Sequence, residues 1–191
     1  MLEKIATTPA EQQILLNLAR GSIDYGLLHK DRIKVELEKY PPHLTKLAAC
    51  FVTLQKNQQL RGCIGTLIPR SPLVQEVVDS AWSAAFLDHR FPKVTKEEEP
   101  YLKIDISILT TPIAIYFNSE QDLLSQLRPG VDGLIFRSGG ASGTFLPSVW
   151  EQLPNPKDFL NHLKNKAGLP QDYWSNQIEI FRYETEMFGE V

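Results

Sequence analysis

Two pairs of β-forming segments, each pair joined by a short loop, most constrain what this chain of 191 residues can fold into. The first pair is Ala49–Leu54 and Leu60–Leu67, and the second is Gly133–Arg137 and Thr144–Leu146, which flank a glycine-rich turn at 138–143. Strands joined by loops this short must run antiparallel, because a parallel connection needs a crossover of about a dozen residues or more. A purely parallel, doubly wound sheet is therefore excluded.

A third segment alternates between apolar and polar residues from Leu102 to Ile108. This period of two predicts a strand with one face in the core and one polar face. The segments Ile113–Phe117 and Ile178–Tyr183 are expected to continue the same sheet. The residues that we expect to be buried in this one sheet are Val52, Ile104, Ile106, Ile108 and Ile135.

Sequence patterns that predict the start of a helix lie between these predicted strands. Thr8 and Glu11 form a capping box around Pro9, and the helix that follows is expected to end near Gly21–Gly26. The other helices are expected to begin at Ser71-Pro72, at Ser119 and at Asn155-Pro156. Helices interleaved with hairpins predict an α+β fold, in which a mixed, mostly antiparallel sheet is flanked by helices packed mainly on one face.

The composition fits a single globular domain that spans residues 1–191. Its 42% apolar and 23% charged residues are ordinary values, and a net charge of -3 gives no overall attraction for nucleic acid or acidic membranes. No apolar run approaches the ~20 residues that cross a bilayer, and the N-terminal segment carries Glu3 and Glu11 in a helical pattern. We therefore expect a cytoplasmic protein in which Cys50 and Cys63 are both reduced thiols.

The hexapeptide Leu60–Gly65 is the segment most indicative of function. Gly62 and Gly65 weaken a strand unless the backbone bends or something, such as a ligand, approaches it closely. In an extended segment Arg61 and Cys63 share a face, and a guanidinium beside a thiol favours the nucleophilic thiolate. Cys63 and Arg61 are therefore the candidate catalytic residues, with Gly62 and Gly65 as candidate binding residues. The alternative is a buried structural thiol, because cysteine is among the most buried residue types.

The loop after the second helix supplies two further candidate binding residues, Asp88 and Arg90. They follow a helix carboxyl end, where the helix dipole favours cations. Arg90 either pairs with Asp88 as a structural anchor of the loop or reaches an anionic ligand.

Neither a metal nor a cofactor is predicted. The histidines have no HxxxH spacing, the two cysteines are not at ligand spacing, and no cluster of three cysteines could hold an iron–sulfur centre. The turn at 138–143 lacks the spacing of phosphate-binding loops and is interpreted as a mobile hairpin. Trp82, Trp150 and Trp174 lie in apolar surroundings and are expected in the core or between lobes rather than as base-stacking platforms.

The motifs that carry a family resemblance extend over nearly the whole chain: Leu60–Gly65, Ala84-Ala85 leading to Asp88-x-Arg90-Phe91-Pro92, Ser107-x-Leu109-Thr110, Gly130-Val131-Asp132-Gly133-Leu134, Phe145-Leu146-Pro147 and Phe188-x-Glu190. With these motifs the chain resembles the AMMECR-domain family, whose prokaryotic members are called AmmeMemoRadiSam system protein A. The resemblance implies an α+β fold with a larger and a smaller lobe. It also maps Arg61, Cys63, Asp88 and Arg90 onto the family's signature, whereas His89 falls where the family varies.

The family is associated with a radical S-adenosylmethionine enzyme and with a Memo-like protein related to extradiol dioxygenases. The resemblance therefore implies partners of these kinds and a role in the modification of RNA bases or of a metabolite. In one hypothesis Cys63 is the nucleophile of an enzyme or accessory subunit, and Arg61 and Arg90 orient an anionic or nucleotide-like substrate. In the other, the protein is a non-catalytic binding or scaffold module for these partners, and the segment around Cys63 is a packing element.

Overall fold

The computed structural model describes residues 6–190, which form two compact units. The larger unit contains residues 6–110 and 186–190, and the smaller unit contains residues 111–185. The helices in this part of the chain are α1 (Pro9–His29), α2 (Leu73–Phe86), α3 (Glu120–Gln126) and α4 (Pro156–Lys166), with short 3-10 helices at Leu37–Lys39, Glu99–Tyr101 and Pro147–Glu151. The strands are β1 (Leu47–Lys56), β2 (Gln59–Gly65), β3 (Ser71–Pro72), β4 (Leu102–Leu109), β5 (Ile113–Ile115), β6 (Gly133–Ser138), β7 (Ala141–Phe145), β8 (Glu179–Tyr183) and β9 (Thr185–Gly189). None of these helices is long and apolar enough to cross a membrane.

The larger unit is built on a five-stranded sheet in the order β2-β1-β4-β9, with the short β3 also paired to β1. β1 runs antiparallel to β2, to β3 and to β4. One face of β1 and β4 is buried in a core that α1 and α2 share. The sheet residues buried on this face are Cys50, Val52, Leu54, Ile104, Ile106 and Ile108. Full burial of an aliphatic side chain contributes about 1.5–3 kcal/mol, so this face supplies much of the unit's stability.

The smaller unit has a four-stranded sheet in the order β5-β8-β6-β7, in which all three pairings are antiparallel. Its core joins Leu134, Phe136 and Ile180 of the sheet to Phe159 of α4. The ring of Trp150 stacks on Phe159 with the ring centroids 3.7 Å apart. The predicted helix after Asn155-Pro156 is confirmed, because the Asn155 side chain accepts hydrogen bonds from the first amides of α4.

The α+β class and the antiparallel pairing of strands are confirmed, and so is the buried isoleucine face of β4. The expectation of one sheet is wrong, because β5 and Ile135 belong to the sheet of the smaller unit. Alternation along a strand identifies its buried face, but it carries no information about which strand lies beside it. The two units correspond to the larger and smaller lobes, whereas a single domain over 1–191 stays a prediction.

Helix α1 is longer than the sequence predicts. The capping box at Thr8 and Glu11 is confirmed, but the helix continues beyond Gly26. A methyl group at Gly26 would overlap the rings of Trp82 and Phe86 in α2. Glycine at this position therefore allows two helices to approach closely, and it does not end the helix.

The connections between strands are tighter than expected. Asn57 and Gln58 join β1 to β2 in a two-residue turn with φ of 52° and 63°. Gly139 and Gly140 do the same between β6 and β7 with φ of 54° and 89°. Positive φ at both central residues matches the right-handed twist of hairpin strands. Ser71-Pro72 is also strand rather than helix, and α2 begins at the next residue.

Candidate functional site

The two cysteines lie on opposite faces of the larger unit's sheet. Cys50 on β1 is completely buried on the face that the helices cover. Burial, followed by the negative charge of Glu76, raises the pKa of the Cys50 thiol. Cys63 on β2 is partly exposed, and its sulfur accepts a hydrogen bond from Oγ1 of Thr53 at 3.2 Å. Cys63 is therefore the thiol that a reagent or ligand can reach.

A row of polar side chains crosses three strands at Cys63. In the strand register Cys63 lies opposite Thr53 of β1, and Thr53 lies opposite Asp105 of β4. The Asp105 carboxylate accepts a hydrogen bond from Nε2 of Gln55 at 2.7 Å. Burial raises the pKa of Asp105, and the hydrogen bond from Gln55 partly offsets this effect. The row thus presents a thiol, a hydroxyl and a carboxylate on one face of the sheet.

The loop that contains Asp88 and Arg90 holds the backbone of Cys63. The Cys63 amide donates to Oδ2 of Asp88 at 2.9 Å, and the Cys63 carbonyl accepts from Nη2 of Arg90 at 3.4 Å. β2 is the outer strand on this side of the sheet, so its outward backbone groups have no strand to pair with. At Cys63 the two side chains take the place of a neighbouring strand.

Asp88 and Arg90 form a two-point ion pair beside the backbone of Cys63. Nε of Arg90 lies 2.9 Å from Oδ1 of Asp88, and Nη2 lies 2.7 Å from Oδ2. These bonds from Arg90, working against burial, lower the pKa of Asp88 to about 2. The same bonds raise the pKa of Arg90, and the charge of Cys63 also contributes. Because 55% of the Arg90 side chain is exposed, its guanidinium is the accessible cation next to Cys63.

Arg61 makes a different set of contacts. The register of β1 and β2 shifts by one residue at Arg61, so this residue is the extra one of a β-bulge. Its guanidinium pairs with Glu98 through Nε at 2.8 Å and Nη2 at 2.9 Å, and it donates to the Pro92 carbonyl at 2.7 Å. The regular strand on which the predicted proximity of Arg61 and Cys63 depended is therefore interrupted. A catalytic role for Arg61 stays a prediction.

Gly62 and Gly65 pack closely against their neighbours. A methyl group at Gly62 would overlap the carbonyl oxygen of Ala84 in α2, and one at Gly65 would overlap the backbone of β1 at Cys50 and Phe51. Both glycines therefore have a packing reason that needs no ligand. Their predicted role in binding stays a prediction.

Sequence reasoning missed three side chains around these residues: Thr53, Gln55 and Glu98. Thr53 and Gln55 belong to no motif, and only the strand register brings them to the site. Glu98 is 37 residues from its partner Arg61. Asp105, in contrast, could be assigned to the polar face of the sheet from the sequence, because apolar and polar residues alternate along β4.

Metal binding needs several ligand side chains close together. Among the side chains of residues 6–190, no group of three or more His, Cys, Asp and Glu residues is arranged to hold a metal ion. The side chains at the Cys63 site supply a thiol, a hydroxyl, a guanidinium and carboxylates.

Several archaeal proteins resemble the chain over most of its length. It is 37% identical to protein MJ0810 of Methanocaldococcus jannaschii, across 96% of this chain and 92% of that protein. It is 36% identical to protein NEQ441 of Nanoarchaeum equitans, across 92% of this chain and 98% of that protein. The crystal structure of the uncharacterized protein PH0010 from Pyrococcus horikoshii matches with a TM-score of 0.86 and 34% identity, covering 93% of this chain and 90% of that one. The model of the AMMECR1 family matches residues 16–188, a span that includes Cys63, Asp88 and Arg90. The chain belongs to the AMMECR1 family.

Proposed function

We propose that Cys63 is the reactive centre of a thiol-dependent enzyme, or of an accessory subunit of one, that takes a small anionic or nucleotide-sized ligand. The observation that carries the proposal is the hydrogen bond from Thr53 to the partly exposed sulfur of Cys63. A hydroxyl that donates to sulfur favours the thiolate, which is the nucleophilic form. Cys50 is the unreactive thiol for comparison within the same chain, because burial shields its sulfur and raises its pKa.

The class of ligand follows from Arg90. Its Nε and Nη2 atoms bind Asp88, whereas within residues 6–190 its Nη1 group donates to no side chain or carbonyl. A guanidinium with free donors binds carboxylate and phosphate groups well. A ligand that places such a group at Arg90 would bring its neighbouring atoms towards the sulfur of Cys63.

The family resemblance supports the cellular setting of the proposal. We propose that the protein acts with a radical S-adenosylmethionine enzyme and a Memo-like protein, in the modification of RNA bases or of a metabolite. This chain has no three-cysteine cluster of its own, so a radical step would belong to the partner.

A non-catalytic binding or scaffold module for the same partners is the second candidate. The observation that favours it is that Asp88 and Arg90 already bind the backbone of β2 at Cys63, which is a structural role. In that case the sulfur of Cys63 is a packing atom, and its removal leaves function unchanged.

Alkylation of the native protein as a function of pH tests the reactive-thiol proposal. We expect Cys63 alone to react, with an apparent pKa below the ~8.5 of an ordinary cysteine, and Cys50 to react only after unfolding. Arg90→Gln should raise the apparent pKa of Cys63, whereas Arg70→Gln, at an exposed position of the loop after β2, should not. A Cys63 thiol that reacts only in the unfolded chain contradicts the proposal.

Complementation of a deletion strain separates the two candidates. Cys63→Ala should abolish the cellular role and Cys50→Ala should retain it, with modified nucleosides and metabolites compared between each strain and its parent. Both variants should still co-purify with the radical and Memo-like proteins. Full complementation by Cys63→Ala would favour the scaffold module.

A further inference from the structure

The smaller unit contains a cavity of about 660 Å³ between the end of β5 and the segment that leads into β8. Residues 114–118 line one side, and residues 174–176 and 178–181 line the other. The volume lies in the range of small-molecule sites, which run from about 300 to 1,000 Å³. All of the lining residues belong to the smaller unit, and none of them is a residue of the Cys63 site.

The lining of this cavity is rich in aromatic side chains. Tyr116, Phe117, Trp174 and Phe181 make up four of its twelve residues, whereas aromatic residues are 9% of the chain. Tyr116 is 87% exposed and Trp174 is 38% exposed, and the sequence predicts Trp174 in the core or between lobes. Folding therefore leaves two large flat rings uncovered at one cavity.

The ring of Trp174 is held in position by its neighbours. Phe117 lies 5.7 Å away between ring centroids, and Nζ of Lys164 lies 5.6 Å from the Trp174 centroid. Lys164 is itself buried, and it is anchored by Glu120 at 2.6 Å and by the carbonyl of Gln171 at 3.1 Å. A ring that is ordered before binding loses little entropy when a ligand stacks on it.

The polar groups of the cavity are amides and a carboxylate. The side-chain amides of Asn118 and Asn176 form no hydrogen bond with any described residue, so they can donate and accept. Among the lining residues there is no Lys or Arg, and the charged residue is Glu179. Arg137 stands opposite Glu179 in the strand register, and its guanidinium lies 5.2 Å from the centroid of the Phe181 ring. The lining thus offers hydrogen bonds to a planar ligand, and none of its side chains offers a cation to a phosphate group.

We infer that this cavity binds a nucleobase or a nucleoside without phosphate, stacked on Tyr116 and Trp174 and read at its edge by Asn118 and Asn176. Aromatic stacking is worth about 1–3 kcal/mol per base and tolerates any base. Amide side chains pair with the donor and acceptor pattern of base edges. The ring faces therefore supply affinity, and the amides supply the preference among bases.

Isothermal titration of the full chain with adenosine, uridine, AMP and methyl glucoside tests the inference. Adenosine should bind saturably. In Arg90→Gln, which removes the guanidinium proposed to hold an anionic ligand near Cys63, AMP should bind no more tightly than adenosine. Tyr116→Ala, at a position exposed enough to leave the fold intact, should weaken adenosine binding at least about fivefold. Tyr101→Ala, at an aromatic of the larger unit that is 70% exposed, should leave it unchanged.

Trp174→Leu provides an independent second variant and should also weaken binding at least about fivefold. No saturable binding of either nucleoside, or equal affinity in wild type, Tyr116→Ala and Trp174→Leu, would overturn the inference. Tighter binding of AMP than of adenosine to Arg90→Gln, or binding of the methyl glucoside instead, would assign the cavity to a different class of ligand and overturn it as well.

Discussion

The two faces of the sheet formed by β1 and β4 come from the same strands but have opposite properties. Towards α1 and α2, residues such as Val52 and Ile106 are fully buried and apolar. Their neighbours in sequence, Thr53 and Asp105, lie on the opposite face. Both are polar, partly exposed and hydrogen-bonded at the candidate site. The two-residue period of a strand lets one pair of strands serve stability with one face and chemistry with the other. Substitutions on the two faces should therefore affect different measurements.

The largest effect is expected from truncation on the buried face. Ile106→Ala should lower the free energy of unfolding by about 2–5 kcal/mol, because it removes buried methyl groups and leaves a cavity. Lys103→Ala, on the opposite face of the same strand, should change it by no more than about 0.5 kcal/mol. Urea unfolding of the two variants measures the difference. Similar effects in both would show that the assignment of faces is wrong.

Close packing between β2 and α2 predicts the next effect. Gly62→Ala should cost about 1–3 kcal/mol, because its methyl group meets the backbone of α2. Gly21→Ala is the matched control, since the nearest atom to a methyl group there is 3.9 Å away. Gly21 lies inside α1, so alanine should stabilise the protein by about 0.5–1 kcal/mol. Equal thermal midpoints for the two variants would contradict the packing role of Gly62.

The contributions of Asp88 and Asp105 to the stability of the fold should change with pH in opposite directions. The pKa of Asp88 falls from 3.8 to about 2 on folding, so its ionised form stabilises the fold above pH 4 and this contribution is lost as the pH falls towards 2. The shift corresponds to at most about 2–3 kcal/mol, and the exposure of Arg90 reduces this to about 1–2 kcal/mol. Asp88→Asn should therefore be less stable than wild type at pH 7 and converge with it near pH 2.

Asp105 is the matched comparison for Asp88. Burial raises its pKa, so its contribution to stability is complete below the unfolded pKa and is lost as the pH rises through the folded pKa. Asp105→Asn should accordingly be at least as stable as wild type at pH 7, in contrast to Asp88→Asn. Urea midpoints measured from pH 2 to pH 8 compare the two variants, and a loss of the same size in both at pH 7 would remove the contrast.

The smallest effect is expected from the hydrogen bond to sulfur. Thr53→Val keeps the shape of the side chain but removes the donor, so the apparent pKa of Cys63 in alkylation should rise by about 0.4–1 unit. Ser107→Ala removes a hydroxyl from β4 without touching that bond and should leave the alkylation profile unchanged. A Thr53→Val profile identical to wild type would mean that the hydroxyl does not tune the thiol.

Local features of the fold could be predicted from the sequence because their causes are local. The capping box at Thr8 and the alternation of β4 depend on residues a few positions apart, and both are confirmed. The division into two sheets depends on which strands pair, and β9 pairs with a strand about 80 residues earlier. No periodicity in the sequence contains that information.

The candidate site was predictable to a similar extent. The Leu60–Gly65 motif and the Asp88 loop pointed to residues that the structure brings together at the Cys63 backbone. The bulge at Arg61 was not predictable, because a shift of register depends on the partner strand. The sequence favoured Arg61 as the cation near Cys63, and the structure brings a second guanidinium, that of Arg90, to the Cys63 carbonyl.

The occupied outer edge of β2 restricts the direction from which a molecule can approach the sulfur. An extended polypeptide that binds by β-augmentation needs free amide and carbonyl groups along an edge strand. At Cys63 those groups are already bound by Asp88 and Arg90. A ligand of the proposed kind would therefore approach the thiol from the sheet face, across the strands. The same two side chains that complete the sheet would thus disfavour an extended peptide chain as a ligand at Cys63.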